Sequence, residues 1–291
     1  MRARLQLARI ALMPTILWDF YVGLILVGGI FERTTLLAGG ALLLLYHGGM
    51  MLNDLRDVQE DIEAQRKRPL VDGRISKGSA TLMVMLFFGG AIALAEQAGP
   101  HLRWPTLVLL ILILIYDLAG SGFRQLLGPA LLAAARSLSL SFGAYAAFGF
   151  DAGLLKLGYG PVGAYALYFL FASRLAQKEE HGVQGVNGLT FLFMASLAPA
   201  VLFYDGAVSP IFLPVWICVA FYLVRPAFQA RYEFWGPDKV QAMVRHALGS
   251  APLIPGLVLL ASGETHLMVQ SALAIPVCLS VRFLAKTWAP E

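Results

Sequence analysis

Long apolar stretches separated by short polar breaks follow one another along almost the whole chain. A helix that crosses a bilayer needs about 20 mostly apolar residues. Ten stretches approach or reach that length, and the two shortest, 106–119 and 162–176, need flanking residues to cross. The stretches are residues 7–30, 36–52, 80–98, 106–119, 126–150, 162–176, 186–204, 211–228, 242–261 and 267–283. The pattern predicts an all-α, polytopic membrane helical bundle of nine or ten transmembrane helices, with residues 1–291 forming a single domain.

Composition supports lipid rather than water as the solvent of this bundle. Hydrophobic residues make up 58% of the chain and charged residues 14%. The mean hydropathy is +0.69. A soluble domain carries more charge than this on its surface. We therefore expect an integral membrane protein in contact with membrane lipid.

The basic residues are distributed as membrane topology requires. If the N-terminus is cytoplasmic, all but four of the 22 Lys and Arg residues fall at cytoplasmic ends. The exceptions are Arg33, Arg103 and Lys156 outside, and Arg136 within a helix. Such a bias orients membrane proteins, and it predicts both termini on the cytoplasmic side, in a cytoplasmic (inner) membrane. The charges are dispersed among loops, so no nucleic-acid partner is expected.

The longest polar interruption follows the second apolar stretch and carries a row of acids. At 100° per residue, Asn53, Asp54, Asp57 and Asp61 fall within an arc of about 100° on one helix face. Carboxylates this close repel one another unless cations share the site. Oxygen ligands suit Mg²⁺, which is commonly completed by phosphate oxygens of a substrate. We predict Asp54, Asp57 and Asp61 as metal ligands and catalytic residues, with Asn53 beside them.

A run of cations follows these acids directly. Arg66, Lys67, Arg68 and Arg74 are the residue types that hold diphosphate oxygens, with arginine able to bind in bidentate fashion. Acidic and basic groups within one loop match the needs of a metal-bridged diphosphate. The alternative is a solvated helix end with an ordinary cytoplasmic cluster of positive charge.

These residues resemble a known signature. Residues 53–61 are similar to the NDxxDxxxD motif of the UbiA superfamily of intramembrane prenyltransferases, and residues 68–76 resemble the RPxxxGxxS that follows it. The resemblance implies a UbiA-like helical bundle with a lateral opening to lipid, a polar cytoplasmic cap and Mg²⁺ as cofactor. It also implies an isoprenyl diphosphate donor, with Tyr116 and Arg124 in place of the family's tyrosine and lysine after helix 4.

The second acidic stretch of the family departs from its usual form in this chain. Where aspartates are usual, the chain carries Glu179 and Glu180, preceded by Lys178. The glutamates could hold a second Mg²⁺ while Lys178 touches phosphate, or the loop could simply face water. The Arg-Pro pair that often opens helix 1 is replaced by Met13-Pro14, with Arg9 one turn earlier. Together the departures resemble the divergent UbiA-like proteins of the ebo cluster.

One arginine lies inside an apolar stretch. A charged residue there costs a few kcal/mol and usually faces a cavity or a partner. Arg136 could bind the diphosphate or an acceptor carboxylate, or it could form a salt bridge with Asp117 or another buried acid. Asp19, in the first stretch, could pair with Arg136 or line the pocket.

The hypothesis for function is Mg²⁺-dependent transfer of an isoprenyl group from an allylic diphosphate to an unidentified acceptor within the membrane. The acceptor could be an aromatic ring, a sugar phosphate or the isoprenoid itself, and the last choice would make the protein a terpene cyclase. The rival hypothesis is a non-catalytic UbiA-like protein in lipid handling or small-molecule export.

Overall fold

The computed structural model describes residues 2–63, 65–206 and 208–288 of the chain. Fifteen α-helices and one small sheet make up this part. The helices are α1 (Arg2–Leu7), α2 (Met13–Leu26), α3 (Arg33–Arg56), α4 (Val58–Glu63), α5 (Lys77–Ala98), α6 (Arg103–Leu118), α7 (Ser121–Phe148), α8 (Phe150–Leu157), α9 (Tyr159–Ala176), α10 (Gly185–Leu197), α11 (Phe212–Gln229), α12 (Pro237–Ser250), α13 (Leu253–Ala261), α14 (Thr265–Ser271) and α15 (Ala274–Trp288). Short 3₁₀ segments lie at Ile10–Leu12, Pro100–Leu102 and Ala198–Asp205, and strands β1 (Val183–Gln184) and β2 (Phe234–Trp235) pair antiparallel.

Each of the ten predicted apolar stretches falls on helical structure, and the all-α membrane bundle is confirmed. Among the described residues, eight helices are long and apolar enough to cross a membrane. The pair α8 and α9 makes a ninth crossing if it is one span, although it bends by 83°. The bend lies at Gly158, whose φ of 82° is in the left-handed region that glycine tolerates. The first stretch forms a shorter apolar helix, Ile10–Leu26.

Helices α2 and α7 lie at the centre of the bundle. Ile16, Phe20 and Phe142 pack in one buried cluster with α3, α5 and α6. Trp18 and Leu140 belong to a second cluster with residues of α9 and of the C-terminal helices. Because both clusters use residues of α2 and α7, these helices join the two halves of the bundle.

Two glycines allow α2 and α7 to approach this closely. A Cβ atom at Gly23 would lie 1.8 Å from the carbonyl oxygen of Leu140. A Cβ atom at Gly143 would lie 2.2 Å from the carbonyl oxygen of Phe20. Small residues let helix backbones approach in membranes, and here the obstacle is main chain that cannot rotate away.

We therefore expect Gly23→Ala to lower the melting temperature of the detergent-purified protein. Overpacking costs typically 1–3 kcal/mol, which corresponds to a shift of roughly 2–10 °C for a chain of this size. Gly89→Ala is the matched control, since a Cβ at this helical position in α5 meets nothing within 4 Å. Equal melting temperatures for the two variants would contradict the close crossing of α2 and α7.

Candidate active site

The predicted acidic face is built where α3 ends and α4 begins. Asn53 and Asp54 lie in the last turn of α3, Asp57 is its C-terminal cap, and Asp61 lies on α4. The three aspartates are buried, with Asp61 only 1% exposed. Buried carboxylates need partners that compensate for lost water. Those partners are four arginines from three segments of the chain.

Asp54 and Asp61 share one arginine. Arg68 Nη1 donates a hydrogen bond of 2.9 Å to Asp54 Oδ1 and lies 2.8 Å from Asp61 Oδ2. Arg9 Nη2 donates to the same Asp54 oxygen at 2.6 Å, and Arg66 Nη1 donates to Asp61 Oδ1 at 3.1 Å. Burial raises the pKa of the Asp61 carboxyl, and the two neighbouring arginines oppose that shift.

Asp57 has a separate set of partners. Arg124 Nη1 donates to Asp57 Oδ1 at 2.8 Å, and Asn53 Nδ2 donates to Asp57 Oδ2 at 2.6 Å. The Arg124 guanidinium also lies over the Tyr116 ring, 5.4 Å from its centroid. The structure therefore brings Tyr116 and Arg124, from α6 and α7, to the first acidic motif.

The second acidic stretch faces the first across the same end of the bundle. Glu180 Oε1 lies 3.9 Å from Arg66 Nη2, so Arg66 stands between the two loops. Glu179 is half-buried. Burial raises the pKa of its carboxyl, although the charges of Arg66, Arg245 and Arg68 act to lower it. We call Asn53, Asp54, Asp57, Asp61, Arg9, Arg66, Arg68, Arg124, Glu179 and Glu180 the polar cap.

Three predicted diphosphate ligands lie outside these contacts. Lys67 and Lys178 are exposed. Arg74 donates to Asp72 Oδ2 at 2.8 Å and to Gln6 Oε1 at 3.0 Å, so its guanidinium is directed toward α1. Their roles in binding stay predictions.

Two residues absent from the predicted set take part in the site. Arg9 has a left-handed backbone with φ 48° between α1 and the following 3₁₀ turn. Such a conformation in a non-glycine residue costs energy and often marks a functional site. Asp117 is 2% exposed, and its Oδ1 atom is buried without a hydrogen-bond partner in the part of the chain that the structure describes. The one sequence feature that drew attention to Arg9 was Met13-Pro14, which stands where the family often has an Arg-Pro pair.

A cavity of about 260 Å³ opens beneath the polar cap. Arg9, Asn53, Tyr116 and Asp117 line it where it meets the cap. Its apolar walls include Leu109, Leu112 and Ile113 of α6, Leu131 and Leu132 of α7, and Leu248 and Ala251 at the end of α12. The site thus joins a charged cap to an apolar chamber, as a molecule with an anionic head and a hydrocarbon tail requires.

The mid-helix arginine lines this chamber too. Arg136 Nη2 lies 2.8 Å from Asp19 Oδ2, so the buried acid that it pairs with is Asp19 rather than Asp117. Asp19 is not among the residues that line the cavity. The ion pair therefore joins α2 to α7 behind the wall, while Arg136 itself remains at the surface of the chamber.

Comparison with known proteins identifies the family of the chain. A profile of the UbiA prenyltransferase family matches residues 12–239 of the chain. The chain belongs to the UbiA prenyltransferase family. This membership confirms the predicted resemblance and the predicted class of enzyme, a prenyltransferase. The narrower resemblance to proteins of the ebo cluster stays a prediction.

Individual UbiA relatives agree with the family match. A digeranylgeranylglyceryl phosphate synthase of Methanothermobacter thermautotrophicus is 26% identical over 223 residues, covering 69% of this chain and 76% of the relative. The apo structure of a UbiA homologue from Aeropyrum pernix K1 superposes with a TM-score of 0.67 at 20% identity, covering 88% of this chain and 98% of the other. A UbiA homologue from Archaeoglobus fulgidus, solved with GPP and Mg²⁺ bound, gives 0.53 at 18% identity, covering 98% and 87%. These two structures share the fold.

The donor groups of this UbiA cap fit a hard divalent cation. No three His, Cys, Asp or Glu side chains in the described ranges stand close enough together to hold a metal by themselves. Mg²⁺ commonly needs only one or two carboxylates, because substrate phosphates and water complete its shell. Arg68 Nη1 already places a cationic nitrogen within 2.9 Å of two carboxylate oxygens, one from Asp54 and one from Asp61. These two aspartates therefore fit a shared Mg²⁺. Asp57 lies beside them on Arg124 and Asn53, and its role as a metal ligand stays a prediction.

Proposed function

We propose that this prenyltransferase transfers an isoprenyl group from an allylic diphosphate to an acceptor in the membrane, with Mg²⁺ as its cofactor. The observation that carries the proposal is the position of Arg68, between two buried carboxylates and above an apolar chamber. The GPP and Mg²⁺ bound to the Archaeoglobus fulgidus homologue support this donor and this cation. The name of the Methanothermobacter relative supports an acceptor of lipid character.

Different residues of the polar cap would bind the cation and the diphosphate. Asp54 and Asp61 would hold Mg²⁺, and Arg9, Arg66 and Arg68 would contact the diphosphate oxygens. Bound Mg²⁺ supplies Lewis-acid stabilisation of the charge that builds on the leaving diphosphate. The arginines add charge-assisted hydrogen bonds to the same oxygens as the allylic carbon–oxygen bond breaks.

The chamber protects the reacting carbon. Its leucine and isoleucine walls hold the isoprenoid chain and exclude water, which would otherwise capture the allylic cation. Tyr116 lines the chamber near the cap, and Tyr46 and Phe169 line it further down. Aromatic faces attract cations within about 6 Å, so these rings can stabilise the cation until the acceptor reacts.

The test is release of diphosphate by the purified protein. Dimethylallyl, geranyl, farnesyl and geranylgeranyl diphosphates are offered with lipid extract, in MgCl₂ or in EDTA. We expect release from at least one donor in MgCl₂ and none in EDTA. No release from any donor by folded protein would contradict the proposal and favour a non-catalytic role. Release together with a cyclised hydrocarbon, formed without lipid extract, would identify a terpene cyclase.

We propose that the polar cap and both termini face the cytoplasm. Most basic residues lie at the cap end of the chain's apolar segments, as the positive-inside bias requires. Single cysteines introduced at Lys67 and at Lys156 test this orientation by labelling of spheroplasts with an impermeant maleimide. We expect Lys156→Cys to react without lysis and Lys67→Cys to react only after lysis, and the reverse order would contradict the orientation.

The two glutamates of the second loop should differ in their effect on the Mg²⁺ requirement. Glu179 is half-buried beside Arg66 and Arg68, whereas Glu180 is exposed and 3.9 Å from Arg66. A surface pair of the latter kind contributes about 0–1 kcal/mol. We expect Glu179→Gln to raise the half-saturating Mg²⁺ concentration roughly ten-fold, as one lost charge-assisted contact would. Glu180→Gln, the matched control, should change that concentration less than about two-fold.

A further inference from the structure

Three polar side chains meet deep in the bundle, behind the lower wall of the chamber, and one of them, Arg136, lines it. Arg136 Nη2 donates a 2.8 Å hydrogen bond to the Tyr165 hydroxyl, and that hydroxyl donates one of 2.5 Å to Asp19 Oδ1. The direct distance from Arg136 Nη2 to Asp19 Oδ2 is 2.8 Å. Arg136 is 6% exposed, and the other two residues are not exposed at all. One guanidinium nitrogen therefore makes both contacts with the network.

Another nitrogen of the same guanidinium is left over. Arg136 Nε is buried and has no hydrogen-bond partner among the described residues, and Arg136 lines the cavity. A buried donor without a partner costs about 1–3 kcal/mol. Because Arg136 lines the chamber, a small shift of its side chain would bring this donor within reach of a bound molecule. This unsatisfied hydrogen-bond donor indicates a ligand that places an oxygen atom beside Arg136.

The position of Arg136 within the bundle separates this ligand oxygen from the diphosphate of the isoprenyl substrate. The Arg136 guanidinium carbon lies 5.8 Å from the centroid of the Tyr46 ring. Tyr46 precedes Asp54 by eight residues on α3, which places it about 12 Å along the helix from the cap at 1.5 Å per residue. A diphosphate held at Asp54 and Arg68 would therefore lie about two helical turns above Tyr46 and Arg136. The oxygen must belong to another part of the bound molecules.

The charges around Arg136 favour an uncharged oxygen. Asp19 already neutralises the guanidinium. A carboxylate added to this pair would leave a net negative charge in a medium of low dielectric constant, which is costly. A neutral oxygen accepts from Nε without that cost.

Two hydroxyls of the chamber wall complete the pattern. Thr15 Oγ1 donates to the carbonyl oxygen of Leu12 at 2.7 Å, and Ser139 Oγ donates to that of Ala135 at 3.0 Å. Each hydroxyl oxygen retains lone pairs that can accept. Ser139 follows Arg136 by three residues, so the two share a face of α7. A donor and acceptors side by side match a hydroxyl group, which accepts one hydrogen bond and donates another.

We propose that Arg136 Nε and Ser139 bind a hydroxyl group of the acceptor, deep in the chamber, so that the acceptor carries an uncharged oxygen remote from its reacting atom. The assignment rests on the proposed function insofar as it names the ligand as an acceptor. The site itself is defined by the buried donor and can be tested without turnover.

The probes are three ten-carbon chains with a diazirine at the middle carbon, ending in a hydroxyl, a chloride or a carboxylate. Each is photolysed with the purified protein, without Mg²⁺ or donor, and labelled α7 peptides are quantified by mass spectrometry. We expect roughly five-fold more labelling near Arg136 by the alcohol than by the chloride, the ratio that one hydrogen bond supplies. The variant D19L/R136M/Y165F removes the whole polar network, and its ratio should fall to about one.

Two further variants distinguish the possible results of this labelling experiment. Ser139→Ala should lower the alcohol-to-chloride ratio even if the triple variant fails to fold. Asp54→Asn should keep the ratio, because the assay does not use the cap. Equal labelling by alcohol and chloride, or a ratio that survives in the triple variant, would overturn the proposal. Stronger labelling by the probe that ends in a carboxylate would contradict the claim that the ligand oxygen is uncharged. A retained ratio without any diphosphate release would contradict the proposed function and leave this site standing.

Discussion

Asp54→Asn is expected to slow Mg²⁺-dependent release of diphosphate from geranyl diphosphate by at least about 100-fold, the typical loss when one charge-stabilising group is removed. Asp54 Oδ1 accepts from both Arg9 and Arg68. An amide at this position has no negative charge to hold either a cation or two guanidinium groups. Product formation under saturating donor, followed by mass spectrometry, measures the loss.

Asp72→Asn is the matched control for that substitution. Asp72 belongs to the same loop and also pairs with an arginine, Arg74, but it lies on the exposed side. We expect its rate to stay within about two-fold of the unsubstituted protein, since exposed pairs contribute little. The assignment of Asp54 would fail if the asparagine variant melted normally and kept a third or more of the rate.

The second large effect concerns stability. Arg136→Met leaves the Asp19 carboxylate buried at 0% exposure without its cation. Breaking a buried pair in this way costs about 3–5 kcal/mol. The variant D19L/R136M/Y165F removes the carboxylate, the guanidinium and the hydroxyl together, so no polar group is orphaned. We expect the single variant to melt far below the unsubstituted protein and the triple variant to regain most of the loss.

An exposed pair provides the comparison. Arg103 Nε donates to Glu96 Oε1 at 2.7 Å, but their side chains are 55% and 40% exposed. Arg103→Met should shift the melting temperature by little, because water compensates for the lost contact. If Arg103→Met and Arg136→Met melted at the same temperature, Arg136 would not carry a buried charge pair.

The sequence predicted the helices and the acidic motif because both depend on local pattern. Apolar length alone located the long helices, although not the short helices α1, α4 and α8. The spacing of Asp54, Asp57 and Asp61 alone indicated a shared face. The arginines that pair with these aspartates could not be predicted from local sequence pattern. Arg9 is 45 residues from Asp54 and Arg124 is 67 residues from Asp57. Only the packing of the segment after α1 and of α7 against the end of α3 brings them together.

Closeness in sequence was a poor guide to which basic residues enter the site. Lys67 and Arg68 are neighbours, but Arg68 lies between two aspartates while Lys67 is exposed. The direction of each side chain depends on the turn between α4 and α5, which residue type does not encode. For Arg136 the sequence offered several acids as partners, and only the contact between α2 and α7 selects Asp19.

The short antiparallel ladder of Val183 with Trp235 joins two loops that are far apart in the chain. Glu179 lies four residues before Val183, so its position above the chamber depends on a segment that contributes nothing to the cap. Trp235 is fully buried there, and its indole Nε1 donates to the carbonyl oxygen of Ala230. Substitutions around residues 230–235 are therefore expected to shift Glu179, and with it the cation affinity proposed for the cap, without changing any proposed ligand.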